Sequence, residues 1–231
     1  MRNVKRIGKP VSLQRNAAKW TAELLAAIGK SRKRAKKVPK KFYDRYQCDD
    51  VRDALNSMYK GLCCYCEARI ATVSYEHIEH RRPKQKYPKH AFRWDNMHLA
   101  CSRCNSHKGI KFSKEHPILD AVLDIPISDH LSYKIDEFGV WRLPLSRRGE
   151  TTWRDTDLDR DALLTARREI WDSAVYAITE INKDVSAVGV DARIKHLMAM
   201  CHGPYGSLVE YAMDNLLRHK CSRNANVAQR N

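Results

Sequence analysis

The N-terminal part of the chain has apolar residues at helical spacing. They recur every three or four residues, at Leu13, Ala17, Trp20, Leu24 and Ile28. Ser12 is a favourable residue to cap the start of such a helix, and Gly29 is a natural place for it to end. A second, shorter helix is predicted over residues 51–60, where Val51 and Leu55 fall on one apolar face.

The second half of the chain begins with alternating apolar and polar residues and then has apolar residues at helical spacing. Residues 131–143 alternate around residues 137–139 and predict a β-hairpin. A long amphipathic helix is predicted over residues 158–183, and two more helices over residues 191–201 and 207–219. These patterns indicate an α+β fold that is mostly α-helical, with the apolar stripes in its core.

The composition is that of a basic globular protein. The 231 residues are 43% hydrophobic, and the formal net charge is +16 with a pI near 9.6. Such a balance favours a polyanionic partner, because Lys and Arg displace counterions from phosphates. The basic run at residues 30–41 is either a solvated linker or a flexible arm that contacts phosphate.

Hydrophobic segments of membrane or secretory type are missing from the sequence. No stretch reaches the roughly 20 apolar residues that cross a bilayer, and no apolar segment follows the basic N-terminus. We therefore expect a cytoplasmic protein without membrane contact, in which disulfides are rare. Four of the eight cysteines show no pairing and are predicted to be free thiols. These are Cys48, Cys64, Cys201 and Cys221.

The other four cysteines form two Cys-x-x-Cys knuckles. Cys63 and Cys66 make the first knuckle, and Cys101 and Cys104 make the second. Each knuckle brings two thiolates to one metal ion from a tight turn, and two knuckles complete a closed tetrahedral site. Four sulfur ligands leave no open coordination position, so we predict a structural Zn²⁺.

The segment between the knuckles contains two acid-histidine pairs. Glu76 and His77 form the first pair, and Glu79 and His80 form the second. A carboxylate can hold a hard divalent ion, and an imidazole can take a proton from water near neutral pH. Together these groups suit phosphodiester hydrolysis, in which a metal ion neutralises the charge that develops on the phosphate.

These residues and their spacing resemble the signature of the HNH endonuclease family. That signature has a Cys-x-x-Cys, then an acid-His pair with Pro three residues after the His. An Asn follows, shortly before a second knuckle of the form Cys-x-x-Cys-Asn-x-x-Lys. Residues 79–83 fit the first half, Asn96 fits the middle position, and residues 101–108 fit the second half.

The resemblance implies a β-hairpin and a helix with a metal ion between them. It implies that His80 is the general base, and that Glu79 and Asn105 hold a catalytic Mg²⁺ or Mn²⁺ directly or through water. Asn96 would brace the loop that orients His80. Neighbouring cations would seat the nucleic acid backbone, which gives affinity without sequence specificity. These cations are Arg81, Arg82, Lys84, Lys86 and Lys108.

The two acid-histidine pairs leave the identity of the base open. Only the second pair, Glu79 and His80, has a Pro at the family's spacing. Glu76 and His77 are further catalytic candidates, and His77 is a candidate for an additional ligand or a substrate contact.

Particular residues within the motif narrow the resemblance. Residues 63–67, 78–84 and 94–96 are similar to the PtuB family, the HNH subunits of retron and Septu antiphage systems. That resemblance implies an ABC/OLD-like ATPase partner, PtuA, and in retrons a reverse transcriptase with its multicopy DNA. The sequence has no Gly-rich nucleotide-binding loop, so an ATPase would be a separate protein.

Three regions are expected along the chain. They are a basic N-terminal helix and arm (1–47), an HNH nuclease domain with zinc knuckles (48–115), and a β-hairpin followed by helices (116–231). The alternatives are a non-catalytic zinc-ribbon module that binds nucleic acid, or an interaction subunit. Only a nuclease needs an acid-histidine pair and a second, chelatable metal. DNA and RNA, including tRNA, are both open as substrates.

Overall fold

The structure is a computed structural model that describes residues 1–33, 37–73, 75–183 and 187–217. Its helices are α1 (Val11–Lys33), α2 (Asp49–Tyr59), α3 (Ile70–Val73), α4 (Ser102–Lys108), α5 (Arg147–Asp155), α6 (Asp161–Lys183), α7 (Ala187–Cys201) and α8 (Gly206–Leu216). Its strands are β1 (Glu76–His80), β2 (Met97–Cys101), β3 (Leu131–Asp136) and β4 (Gly139–Pro144). The predicted α+β, mostly α-helical fold is confirmed.

Helix α1 differs from the prediction at both ends. It begins at Val11, and the backbone N–H and hydroxyl of Ser12 donate to the Asp50 carboxylate at 2.8 and 2.7 Å. Asp50, a residue of α2, therefore takes the capping role that the sequence suggested for Ser12. Gly29 does not end the helix, which continues to Lys33. Basic residues in its last turn interact favourably with the helix dipole.

The second half of the chain follows the predicted pattern with one addition. Strands β3 and β4 form the predicted hairpin, and α6, α7 and α8 correspond to the three predicted helices. Helix α5 was not predicted, because its sequence RRGETTWRD contains a single large apolar residue, Trp153. The predicted end of the last helix at residue 219, and the thiol of Cys221, lie outside the described residues.

The described residues fall into two compact units. One unit holds α1 to α5 with β1 and β2, and the other holds most of the β3–β4 hairpin with α6, α7 and α8. The three functional regions expected from the sequence (1–47, 48–115 and 116–231) remain a prediction.

In the first unit, an antiparallel β1–β2 pair leads directly into a helix. The register runs from Glu76 opposite Cys101 to His80 opposite Met97. Helix α4 begins at Ser102, immediately after β2, and packs against both strands. Helix α2 packs against β2, and α1 packs against α2. This ββα arrangement brings residues 76–80 and 102–108 together.

In the second unit, α6, α7 and α8 share an apolar core. Ile178, Leu197 and Val209 are among its fully buried residues. Arg167 of α6 is also buried, and it donates to the carbonyl oxygen of Val140 at 3.3 Å. This contact fastens the hairpin to α6. Within the described parts of the chain, no helix has both the length and the apolar character that a membrane crossing needs.

Candidate active site

The four knuckle cysteines converge on one point. The sulfurs of Cys63, Cys66, Cys101 and Cys104 lie within 4.8 Å of one another and are buried. The Cys66 and Cys101 sulfurs are 3.9 Å apart. Thiolates about 2.3 Å from a shared tetrahedral Zn²⁺ would be roughly 3.8 Å apart. The set therefore fits a structural zinc ion at the junction of β2 and α4.

Cys64 lies within the first knuckle but outside this cluster. Burial raises the pKa of the Cys64 thiol well above its usual range, so the thiol stays protonated. Desolvation of Cys63 is outweighed by hydrogen bonds from Cys101 and Cys104, which hold the pKa of Cys63 well below its usual range. Of these two adjacent cysteines, only Cys63 has its sulfur in the four-cysteine cluster.

Glu79 is buried on β1 and has two partners on one of its oxygens. The Lys108 ammonium lies 2.5 Å from Oε1, and the Tyr65 hydroxyl donates to the same oxygen at 3.1 Å. Lys108 also donates to the carbonyl oxygen of His80 at 2.8 Å. These contacts join the last residue of α4 to β1. They leave Oε2 of Glu79 without a hydrogen bond among the described residues.

His80 is buried at the end of β1, with Nε2 2.9 Å from the carbonyl oxygen of Ala91. A carbonyl oxygen only accepts, so Nε2 carries the proton and Nδ1 has the lone pair. The ring lies edge-on to Tyr46, with centroids 4.6 Å apart. Burial lowers the pKa of His80 to about 3, and the charges of Lys84 and Lys108 act in the same direction. The imidazole is therefore neutral at physiological pH.

This lowered pKa of His80 makes the stability of the fold depend on pH. Between pH 7 and pH 5 the unfolded imidazole, with a pKa of about 6.5, takes up a proton that the folded one does not. Stability should therefore fall on acidification. We expect His80→Gln to remove about 2 kcal/mol of the loss seen between pH 7 and pH 5 in urea unfolding. The cysteines titrate in both proteins, so equal pH slopes would contradict the assignment to His80.

Asn96 precedes β2, and its side-chain amide is occupied by backbone groups. Oδ1 accepts from the N–H of Arg82 at 2.7 Å. Nδ2 donates to the carbonyl oxygens of Arg82 and His90 at 3.0 and 3.1 Å. The loop that follows His80 is thus fastened to the start of β2. This is the geometry expected of a residue that braces the loop carrying a base.

A cavity of about 530 Å³ opens beside β1. His77, Glu79, His80 and Asn105 all line it, so β1 and α4 bring most of the candidate residues to one space. Carboxylate and amide oxygens are ligands that Mg²⁺ and Mn²⁺ favour. Glu79 and Asn105 both line this cavity, so they remain the predicted ligands of a hard divalent ion.

Along β1, the two residues of each acid-histidine pair lie on opposite faces of the strand. Residues two positions apart share a face of β1, so His77 lies with Glu79, and Glu76 lies with His80. Glu76 accepts a hydrogen bond from Asn56 of α2 at 2.7 Å, whereas His77 is exposed. Both histidines border the cavity, which keeps His77 a candidate beside His80.

The five predicted phosphate contacts have different surroundings. Arg81 donates to a backbone carbonyl oxygen at 2.9 Å, and Lys84 donates to a carboxylate oxygen at 2.7 Å. Arg82 is half-buried, and Lys86 is exposed. Lys108 is only 1% exposed, so its ammonium has no surface for a phosphate, and its position instead supports a structural role beside the cavity.

A buried polar network on β2 was not anticipated from the sequence. His98 lies opposite Glu79, with Nδ1 2.6 Å from the Tyr59 hydroxyl and Nε2 3.7 Å from Asp120. Desolvation of Asp120 is outweighed by its contact with His98, which holds the pKa of that carboxyl well below its usual range. Tyr65, which donates to Glu79, was missed as well. These partners are far apart in sequence or hidden inside a knuckle, so no local pattern marks them.

The knuckles, β1, β2 and α4 all fall within residues 63–111, a stretch that matches the HNH endonuclease family. This chain carries an HNH endonuclease domain. HNH endonucleases are hydrolytic nucleases, and the match supports that activity for this chain. The domain contains the four clustered cysteines together with Glu79, His80 and Asn105.

Two relatives extend the similarity beyond the HNH domain. The chain is 29% identical to a Septu protein PtuB from Bacillus thuringiensis, over 181 residues that cover 71% of this chain and 68% of that protein. It is 31% identical to a Septu protein PtuB from Bacillus mycoides, over 161 residues that cover 55% of this chain and 53% of that protein. The second match therefore spans about half the length of the relative. The predicted resemblance to PtuB-type HNH proteins is confirmed.

Proposed function

We propose that this chain is the effector nuclease of an antiphage defence system and cuts nucleic acid in the cavity beside β1. The observation that carries the proposal is the convergence of Glu79, His80 and Asn105 on that cavity, within the HNH domain. The similarity to two Septu PtuB proteins supports the defence setting.

His80 is the general base in this proposal. Its Nδ1 lone pair takes a proton from the water that attacks the phosphorus, while the Ala91 carbonyl oxygen holds the opposite side of the ring. The water oxygen forms a new bond to phosphorus and the bond to the 3′ oxygen breaks. The 3′ oxygen takes a proton from solvent, which leaves 5′-phosphate and 3′-hydroxyl ends. Asn96 keeps the loop after His80 in place during this exchange.

Glu79 and Asn105 are the residues that would hold a catalytic Mg²⁺ or Mn²⁺. Such an ion neutralises charge that builds on the phosphate. The four cysteines would hold a separate structural Zn²⁺, which supplies folding energy and takes no part in the chemistry. Exposed and half-buried cations after β1, Lys86 and Arg82, would contact the nucleic acid backbone.

The proposed partner is an ABC/OLD-like ATPase of the PtuA type. In a retron the assembly would also include a reverse transcriptase with its multicopy DNA. The region 48–115 would cut, the region 1–47 would add basic contacts, and the region 116–231 would contact the partner. The names of the two relatives support a partner of this type, and the basic composition supports contacts with nucleic acid.

The experiment that tests the function compares His80→Ala and His77→Ala with the natural protein. Purified protein is incubated with plasmid DNA or total tRNA, with Mg²⁺ or Mn²⁺, and with the ATPase present or absent. We expect metal-dependent cutting that falls by roughly 100-fold or more in His80→Ala, because the water loses its proton acceptor.

The remaining outcomes separate the alternatives. Loss of cutting in His77→Ala but not in His80→Ala would identify His77 as the general base. A zinc-loaded protein that retains nucleic acid but never cuts, even with the ATPase, would support the non-catalytic binding module instead. The plasmid and tRNA arms distinguish a DNA from an RNA substrate.

A further inference from the structure

We propose that Arg52 of α2, which lines the cavity, binds a phosphate of the strand that is cut. This inference rests on the proposed nuclease function. Arg52 lies before the HNH match at residues 63–111 and outside the basic cluster that the sequence suggested.

The charges around the cavity single out this residue. Among the described residues that line it, the carboxylates are Glu76 and Glu79, and the Lys and Arg side chains are Lys84 and Arg52. The Lys84 ammonium donates to Asp44 and to a tyrosine hydroxyl, both at 2.7 Å, and its side chain is 15% exposed. Its hydrogen-bonding capacity is therefore largely used within the protein.

Arg52 differs from Lys84 in both exposure and partners. Its side chain is 37% exposed, and its nearest carboxylate oxygen, on Glu76, is 3.9 Å away. That separation is too long for a direct hydrogen bond. A guanidinium has five N–H donors in a planar fork that matches two phosphate oxygens at once. Arg52 thus offers the cavity a cation suited to phosphate.

The Arg52 side chain has a charged neighbour, Glu76, at the start of β1. Arg52 and Asn56 are one turn apart on α2, and both contact Glu76 at the start of β1. Asn56 donates to Oε2 of Glu76 at 2.7 Å, which leaves Oε1 on the side of Arg52. Glu76 therefore attracts the guanidinium, without a direct hydrogen bond, at the cavity that His80, Glu79 and Asn105 also line.

Direct binding measurements test the proposal on the full-length protein. The natural protein, Arg52→Gln, Arg52→Lys and the control Arg147→Gln are titrated with a short labelled DNA duplex and with labelled tRNA, over a range of salt and with no divalent ion added. Arg147 is 77% exposed on α5 and does not line the cavity. Melting temperatures of all four proteins check that each is folded.

We expect Arg52→Gln to bind roughly tenfold more weakly, with a salt slope lower by about one. Arg52→Lys should fall between Arg52→Gln and the natural protein, because it keeps the charge but loses the fork. Arg147→Gln should match the natural protein. Equal affinity and slope in a folded Arg52→Gln would overturn the role of Arg52, even where the natural protein cuts normally. A natural protein that neither binds nor cuts either substrate would overturn the nuclease proposal itself.

Discussion

Replacing Cys66 by serine is expected to unfold the region around β1, β2 and α4. The four sulfurs lie within 4.8 Å of one another, so removal of one ligand dismantles the whole proposed zinc site. Structural zinc sites contribute on the order of 10 kcal/mol to folding, which exceeds the stability of most small domains. The same loss is expected when a strong chelator removes the metal from the natural protein.

Cys64 provides a matched control for this experiment. It is as buried as Cys66 and lies two residues away, but it is outside the cluster and its thiol stays protonated. We expect Cys64→Ser to keep one zinc per chain and natural resistance to proteolysis, both of which Cys66→Ser loses. A Cys66→Ser protein that stays folded with zinc bound would show that the cluster is not the ion's site.

Lys108→Met is expected to lower the free energy of unfolding by about 3–5 kcal/mol. The change removes a buried ammonium from the Glu79 carboxylate and leaves that charge in a protein interior without its counter-ion. It also removes the hydrogen bond from α4 to the His80 carbonyl oxygen. Cutting should fall as well, because Glu79 and His80 lose the contact that fixes their position.

A double variant separates this pairing from a loss of simple packing. Glu79→Gln combined with Lys108→Met removes both charges, so its stability should exceed that of Lys108→Met alone. Lys111→Met, an exposed lysine just after α4, is the control and should change stability little. Urea unfolding measures these three variants together with Glu79→Gln alone and the natural protein. Additive effects of the two changes would argue against a coupled pair.

The zinc knuckles could be anticipated because short-range spacing encodes them, and the ββα order because these residues resemble the HNH signature. Cys63 and Cys66 must meet in one turn whatever surrounds them, and the same is true of Cys101 and Cys104. The long amphipathic helices could also be predicted, since apolar residues at helical spacing indicate a buried face.

The parts that could not be anticipated depend on contacts between distant segments. Lys108 reads as a surface cation in the sequence, and only the packing of α4 on β1 buries it against Glu79. Asp50 caps α1 across a gap of 38 residues, which no local rule reveals. Helix α5 is capped by Ser146, but it has too few apolar residues for a hydrophobic pattern to indicate a helix.

Helix α4 sets the distance between the cysteine cluster and Glu79. Its first turn carries Cys104 at the cysteine cluster, and Lys108, one turn further on, reaches Glu79. The four residues from Cys104 to Lys108 span about 6 Å along the helix. Inserting or deleting one residue between them would rotate Lys108 by roughly 100° from its present direction. The number of residues between Cys104 and Lys108 is therefore as constrained as the identity of these two residues. A displacement of Cys104 would also displace Lys108, and with it the partner of Glu79 in the cavity.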